Sequence, residues 1–327
     1  MSITVDDNRA ASRTTMRWEL VGPERGAVRA ASIDAPGPRQ VLIRVAVNGL
    51  CASDLPVWRR GDGDEILGHE PVGEVIDTGP GVTIPAGTWV TGRIPASFAQ
   101  HAIADIDDVV VIPAGLDPMG ALGEPIGCVV EGFRRTRIGA GDRVAIIGLG
   151  FMGLLMTQLA AQSPAASLVA IDPRDDARAA AIRAGVDEAV APDVLSDRLV
   201  GADDDDRHRV DVVIEASGTQ AGLDLATRLV RSHGTISILG YHQGDRTVDM
   251  RAWNEKAIDV VNAHVRDRQL LREATRRGLE LAARGGHGID VSSLVTHRFA
   301  LDQVDNAFRA LASKPDGFIK AVIVIDR

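Results

Sequence analysis

Between Gln40 and Ile112, apolar and polar positions alternate in short runs broken by Gly, Pro and Asp. The runs are Gln40–Val47 (QVLIRVAV), Gly73–Asp77 (GEVID), Thr88–Gly92 and Asp108–Ile112 (DVVVI). A period of two puts every second side chain on one face, as in half-buried strands, so the first third is predicted to be a β-rich, barrel-like lobe. Past Pro118 the apolar spacing lengthens, and from Arg143 strands and helices alternate. Strands are predicted over Arg143–Ile147 (RVAII), Leu168–Ile171, Val210–Ile214, Thr235–Leu239 and Ile258–Asn262, with helices over Phe151–Gln162, Asp175–Ala184 and Thr219–Val230. Such alternation reads as a parallel sheet wound with crossover helices. A helix over Gln269–Ala283, a strand near Val295–Phe299, a helix over Leu301–Ala312 and a strand over Lys320–Ile325 follow. Strand texture returning after the wound sheet implies that the tail rejoins the first lobe, making the first domain discontinuous.

The chain has 327 residues, enough for two domains with a core each, and its 45% hydrophobic and 25% charged residues are those of a globular α/β protein. No run approaches the roughly 18 apolar residues of a membrane span. A net charge of -9 argues against a nucleic-acid partner, which needs a basic surface. Two cysteines, Cys51 and Cys128, are too few for a disulfide framework. The polar stretch Met1–Ser12 lacks the apolar centre of a secretory signal, so it reads as a loose tail on a cytoplasmic protein. Asp203–Asp206 reads as a solvated loop, because cation cages alternate ligands with spacers. Lysine occurs only at Lys256, Lys314 and Lys320, and composition gives it no function.

The strand Arg143–Ile147 runs into Gly148-Leu149-Gly150-Phe151-Met152-Gly153, with G-x-G-x-x-G spacing, and a helix follows. The first glycine permits the tight turn, the second lets backbone approach a pyrophosphate, and the third lets helix and strand pack closely; the helix N-terminus offers amides to the phosphates. Asp172 stands 22 residues past Gly150, after a second strand, where an acid accepts hydrogen bonds from ribose hydroxyls. A carboxylate there repels a 2′-phosphate, which favours NAD over NADP, although Arg174 nearby could accommodate one. Ser217 and Gly240, each just beyond a strand, should face the same crevice.

The β-rich third also carries Cys51-Ala52-Ser53-Asp54 and Gly68-His69-Glu70-Pro71, and Glu124-Pro125 stands where the texture changes. Thiolate, imidazole and carboxylate are the ligand types of catalytic zinc, and three protein ligands leave one position for water or substrate. Taken singly, Cys51 reads as a small buried hydrophobe, His69 as a hydrogen-bonded core residue and Glu124 as a helix start. Together, a Cys with Ser two residues on, Gly-His-Glu about eighteen residues later, Glu-Pro and then the glycine fingerprint resemble the medium-chain dehydrogenase/reductase superfamily. Within it the match is to zinc-dependent alcohol and polyol dehydrogenases, and it runs from Gln40 to the end.

That resemblance implies an α/β architecture with a GroES-like, β-rich catalytic domain (1–124 and 265–327) around a Rossmann domain, a doubly wound parallel sheet (125–264). It implies one catalytic zinc ion per chain, on Cys51, His69 and a carboxylate, in the cleft between domains. Glu124 holds the Glu-Pro position of polyol-type members, and Glu70 can approach as an alternate ligand; Cys128, a turn beyond Glu124 among apolar residues, fits less well. Two departures stand out. No cysteine occurs in Thr88–Ala102, where many relatives carry a second, structural zinc, and Pro56 replaces a histidine that often ends the proton relay.

The implied reaction moves a hydride between NAD(H) and a small alcohol or its carbonyl partner, with zinc lowering the hydroxyl pKa and Ser53 taking the proton. Trp58 and His264 are pocket candidates. A zinc-free NADPH-dependent quinone or enoyl reductase is the rival within the superfamily, against which Cys51, His69 and Glu70 count. A non-catalytic NAD(H)-binding redox sensor is the rival outside it. Relatives commonly pair through the last Rossmann edge strand, here Ile258–Asn262, which implies at least a homodimer.

Overall fold

The computed structural model describes residues 12–61, 67–194, 209–285 and 288–325. Residues 1–11 of the expected tail, and the run Asp203–Asp206, lie outside the described residues. The chain opens with an antiparallel hairpin, β1 (Arg13–Gly22) and β2 (Arg25–Ile33), which the alternation analysis had not picked out. Next come β3 (Gln40–Gly49), a 3-10 turn over Ala52–Asp54, helix α1 (Leu55–Arg60), β4 (Glu70–Thr78), β5 (Trp89–Gly92), β6 (His101–Asp105) and β7 (Val109–Val111). Each predicted strand of this third lies within or within a residue of an observed one.

Helix α2 (Gly123–Thr136) leads into the alternating region: β8 (Arg143–Ile147), α3 (Phe151–Ala160), β9 (Ser167–Ile171), α4 (Asp175–Arg183), β10 (Glu188–Val190), β11 (Val210–Glu215), α5 (Gln220–Leu229), β12 (Val230–Ile238), α6 (Met250–Lys256) and β13 (Asp259–Asn262). The tail supplies α7 (Arg268–Ala282), β14 (Val295–Ala300), α8 (Val304–Ser313) and β15 (Lys320–Val324).

The six parallel strands run in the order β10-β9-β8-β11-β12-β13. The winding reverses between β8 and β11, and the carboxyl ends of those two strands border the crevice where open α/β sheets bind ligands. The second large sheet has seven strands, β14-β15-β3-β4-β5-β7 with β6 also on β3, so the C-terminal strands do share a sheet with the N-terminal ones. One apolar cluster fills the β lobe around Trp18, Trp58, Phe98 and Phe308, and two others cover the two faces of the parallel sheet.

Helices α2 and α7 lie flat against each other because glycines face side chains across the contact. A Cβ on Gly278 would come within 2.1 Å of Ile126, and one on Gly127 within 2.3 Å of the Thr275 hydroxyl. This fixes the start of α2, where Thr275 Oγ1 donates to the Gly123 carbonyl at 3.1 Å and the Gly123 amide donates to Thr91 at 3.0 Å.

Trp58, open from sequence between lining a pocket and packing the β lobe, is placed in the core. It is 1% exposed, stacks on Phe308 at 5.2 Å, and donates its indole N–H to Asp305 at 2.8 Å. One turn of α1, begun by Pro56, points it into the β-lobe core, so it packs that core and lines no substrate pocket. At the sheet edge β13 is largely exposed, with Val260 at 41%. Among the described residues no helix is long and apolar enough to cross a membrane.

Candidate functional site

The end of β3 delivers Cys51 to the N-terminus of the Ala52–Asp54 turn, and the start of β4, paired to β3, delivers His69 and Glu70 beside it. Ligand atoms of Cys51, His69 and Glu70 all lie within 4.8 Å of one another. Asp54 holds the histidine ring from behind, with Oδ1 at 3.3 Å from Nδ1, and its other oxygen accepts the Gly68 amide at 3.3 Å. Burial opposes charge on His69, yet hydrogen bonds to Asp54 and Cys51 outweigh it and push its pKa up to about 12. A soft thiol, a carboxylate-oriented imidazole and an acid gathered around a point that favours positive charge are a donor set suited to zinc.

Glu70 is buried and paired with Lys320 at 2.6 Å, and its backbone N–H donates to Asn48 at 3.1 Å. Glu124, at the first turn of α2, faces the same cavity. Burial raises its pKa, and the Glu70 charge adds to the rise. It accepts a hydrogen bond from Cys128 at 3.5 Å, and burial pushes that thiol well above its usual range, so it stays protonated. The compact triad therefore contains Glu70, with Glu124 outside it. Ser53 Oγ lies 3.1 Å from Cys51 Sγ.

The glycine loop shows the three roles its spacing suggested. Gly148 has φ of +91°, and a Cβ there would meet the Ser217 amide nitrogen at 2.6 Å. Gly150 faces open space, with nothing within 4 Å of an added Cβ, whereas on Gly153 a Cβ would sit 1.9 Å from the Gly148 carbonyl oxygen. Leu149 is buried, while Phe151 and Met152 line the cleft cavity at the head of α3. Asp172 ends β9 but is only 6% exposed, and its oxygens accept from the Leu149 amide at 2.8 Å and from the Arg174 amide at 3.0 Å. Arg174 is folded inward, donating also to the Phe318 carbonyl at 3.1 Å and the Leu149 carbonyl at 3.3 Å.

A cavity of about 490 Å³ joins the two halves, with Cys51, Ser53, His69, Glu70 and Glu124 at one end and Gly150, Ser217 and Gly240 toward the other. His264 also lines it, its Nε2 at 3.2 Å from the Gly240 carbonyl. Beneath this wall, fully buried Glu215 accepts from the Ser217 and Gly218 amides at 2.8 Å and 3.0 Å and pairs with His242 at 2.8 Å, which ties down the turn after β11.

Sequence reasoning missed Asp54 and Lys320. Asp54 stands in the quoted Cys-Ala-Ser-Asp string, and a carboxylate so close to a candidate ligand was a usable signal. Lys320 gave only its rarity as a lysine, since its contact with Glu70 spans 250 residues.

Residues 37–114 match the alcohol dehydrogenase GroES-like domain family, and residues 152–283 match the zinc-binding dehydrogenase family. An L-threonine 3-dehydrogenase of Pyrococcus horikoshii is 30% identical over 257 residues, covering 66% of this chain and 73% of that one. A sorbitol dehydrogenase of Halalkalibacterium halodurans is 25% identical over 323 residues, covering 88% and 92%. A zinc-binding dehydrogenase of Sinorhizobium meliloti, solved with NADP bound, superposes with a TM-score of 0.83 at 25% identity, covering 95% and 99%.

Glu70→Gln leaves the Lys320 ammonium buried without a counter-charge. The expected loss is about 3 kcal/mol in urea unfolding of the metal-free protein, most of it regained in Glu70→Gln/Lys320→Met. A loss below about 1 kcal/mol would show that the pair does not hold the site together.

Proposed function

We propose, since the chain belongs to the zinc-type medium-chain dehydrogenase/reductase family, that its cleft interconverts a small alcohol or polyol and the matching carbonyl compound, using one zinc ion and NAD(H). That it is an oxidoreductase acting on alcohols follows from its dehydrogenase relatives. The observation that carries the zinc reading is the convergence of Cys51, His69 and Glu70 within 4.8 Å, across one cavity from the glycine loop. A catalytic domain of 1–124 with 265–327, around a nucleotide domain of 125–264, fits the sharing of one sheet by β3 and β15.

Bound zinc supplies Lewis acidity toward a substrate oxygen, and bound nicotinamide accepts the hydride. The chain's own residues do the rest. Cys51, His69 and Glu70 are the proposed metal ligands, with Glu124 as the alternate carboxylate and Asp54 locking the His69 ring. Ser53 takes the hydroxyl proton and releases it to water, since Pro56 offers no onward acceptor. The α3 N-terminus at open Gly150 holds the pyrophosphate. Asp172, with Asp175 and Asp176 opening α4, disfavours a 2′-phosphate, and Arg174 is already engaged by Asp172 and two carbonyls. These features support NAD over NADP.

The test is nicotinamide reduction by the zinc-loaded chain over a panel of secondary alcohols and polyols. Turnover with NAD at least about tenfold better than with NADP is expected, and Ser53→Ala should lower kcat by about a hundredfold and shift its pH profile. Reduction of enones by NADPH without alcohol turnover would favour the zinc-free reductase; NADH binding without any turnover would favour a sensor. We further propose pairing across the exposed edge of β13, so sedimentation at twice the chain mass or more is expected and a strict monomer would refute it.

A further inference from the structure

Beyond His69 the cleft continues into a second cavity of about 530 Å³, away from the glycine loop. Charged side chains stand among the apolar ones on its walls, and the acids among them are already committed. Asp54 lies against His69 at 3.3 Å, Asp107 pairs with Arg39 at 2.8 Å, and Asp108 holds Arg268. Asp267 caps α7 by accepting the Leu270 amide at 2.8 Å. Arg268 is the arginine engaged there, by Asp105 and Asp108; the other three form no ion pair among the described residues. Arg272 donates to the Val109 carbonyl at 3.2 Å and pairs with no acid among the described residues. Arg93 and Arg266 make no hydrogen bond or ion pair among the described residues; Arg266 only lies over the Tyr241 ring, 6.0 Å from its centre.

These two arginines come from different elements. Arg93 directly follows β5 in the β lobe, and Arg266 lies just past β13, where the chain leaves the parallel sheet. Both also line the 490 Å³ cavity that holds Cys51 and Glu70, so they stand where the two cavities meet at His69. A guanidinium presents a planar fork of donors matched to a carboxylate or phosphate. Arg93 lies within electrostatic reach of Glu124, but neither guanidinium forms an ion pair among the described residues, which gives such a group a charge-assisted seat. A neutral alcohol would leave both donor sets to water. The net charge of -9 makes this a local feature against the overall field of the molecule.

We propose that Arg93 and Arg266 clamp an oxyanion carried by the substrate, so that the preferred alcohols are hydroxy acids or hydroxyalkyl phosphates. The inference rests on the dehydrogenase reading of the cleft and narrows its substrate class.

The test titrates zinc-loaded wild type, Arg93→Gln and Arg266→Gln by calorimetry with three matched pairs: gluconate and sorbitol, 3-hydroxybutanoate and its amide, glycerol 3-phosphate and glycerol. The expected result is about tenfold tighter binding of the anion in at least one pair, a preference that either substitution removes. Which pair responds separates carboxylate from phosphate. Equal binding within every pair, or a preference that survives both substitutions, would overturn the clamp. So would Arg→Gln variants that weaken NAD(H) binding in place of the anion. Alcohol turnover without anion preference would sink the clamp and leave the dehydrogenase reading standing. Arginine-dependent anion binding without turnover of any alcohol would support the clamp and sink that reading.

Discussion

A buried ion pair ties the β lobe, the C-terminal tail and the head of α3 together at the candidate site. Lys320, on the last strand, meets Glu70 at 2.6 Å at the start of β4, donates to the Leu50 carbonyl at 2.9 Å, and sits 4.6 Å from the centre of the Phe151 ring at the head of the nucleotide helix. Removing two charges from water costs several kcal/mol each, and mutual attraction offsets this only where geometry is close and further donors are satisfied. Here the ammonium has a carboxylate, a carbonyl and an aromatic face. The pair therefore holds the Glu70 carboxyl beside Cys51 and His69, and it does so only if the tail has returned to the first lobe.

The donor cluster follows from that constraint. With Glu70 fixed and its amide bound by Asn48, β4 sets His69 one residue earlier, and Asp54 turns the imidazole so that its other nitrogen faces the thiol. Across the cavity, the glycine loop is shaped by what cannot fit: no side chain at Gly148 or Gly153, and open space at Gly150. The donor cluster and the glycine loop are thus placed by two local devices, and one cavity joins them.

Much of this was readable from residue order. Alternation of period two marked most strands of the β lobe, and a repeating strand-helix rhythm marked the parallel sheet, because both periods reflect which faces are buried. The β1–β2 hairpin escaped notice because its strands carry charged and intermediate positions on both faces. Helix α6 escaped because it buries no residue. Trp58 stayed open between pocket and packing because closeness in sequence to Ser53 does not say toward which side a short helix points. Lys320 could not be found at all by local reading, since its role comes from a contact made only after the sheet closes. Which carboxylate comes closest to Cys51 and His69 likewise depends on distances that spacing does not encode.

Metal binding by the cluster of Cys51, His69 and Glu70 is the condition on which alcohol chemistry in this cleft depends. Elemental analysis of protein purified without chelator, for wild type, Cys51→Ser and His69→Ala, tests it most directly. About one zinc per wild-type chain and nearly none in either variant is the predicted result. A metal-replete wild-type chain without zinc, or undiminished zinc in both variants, would contradict it.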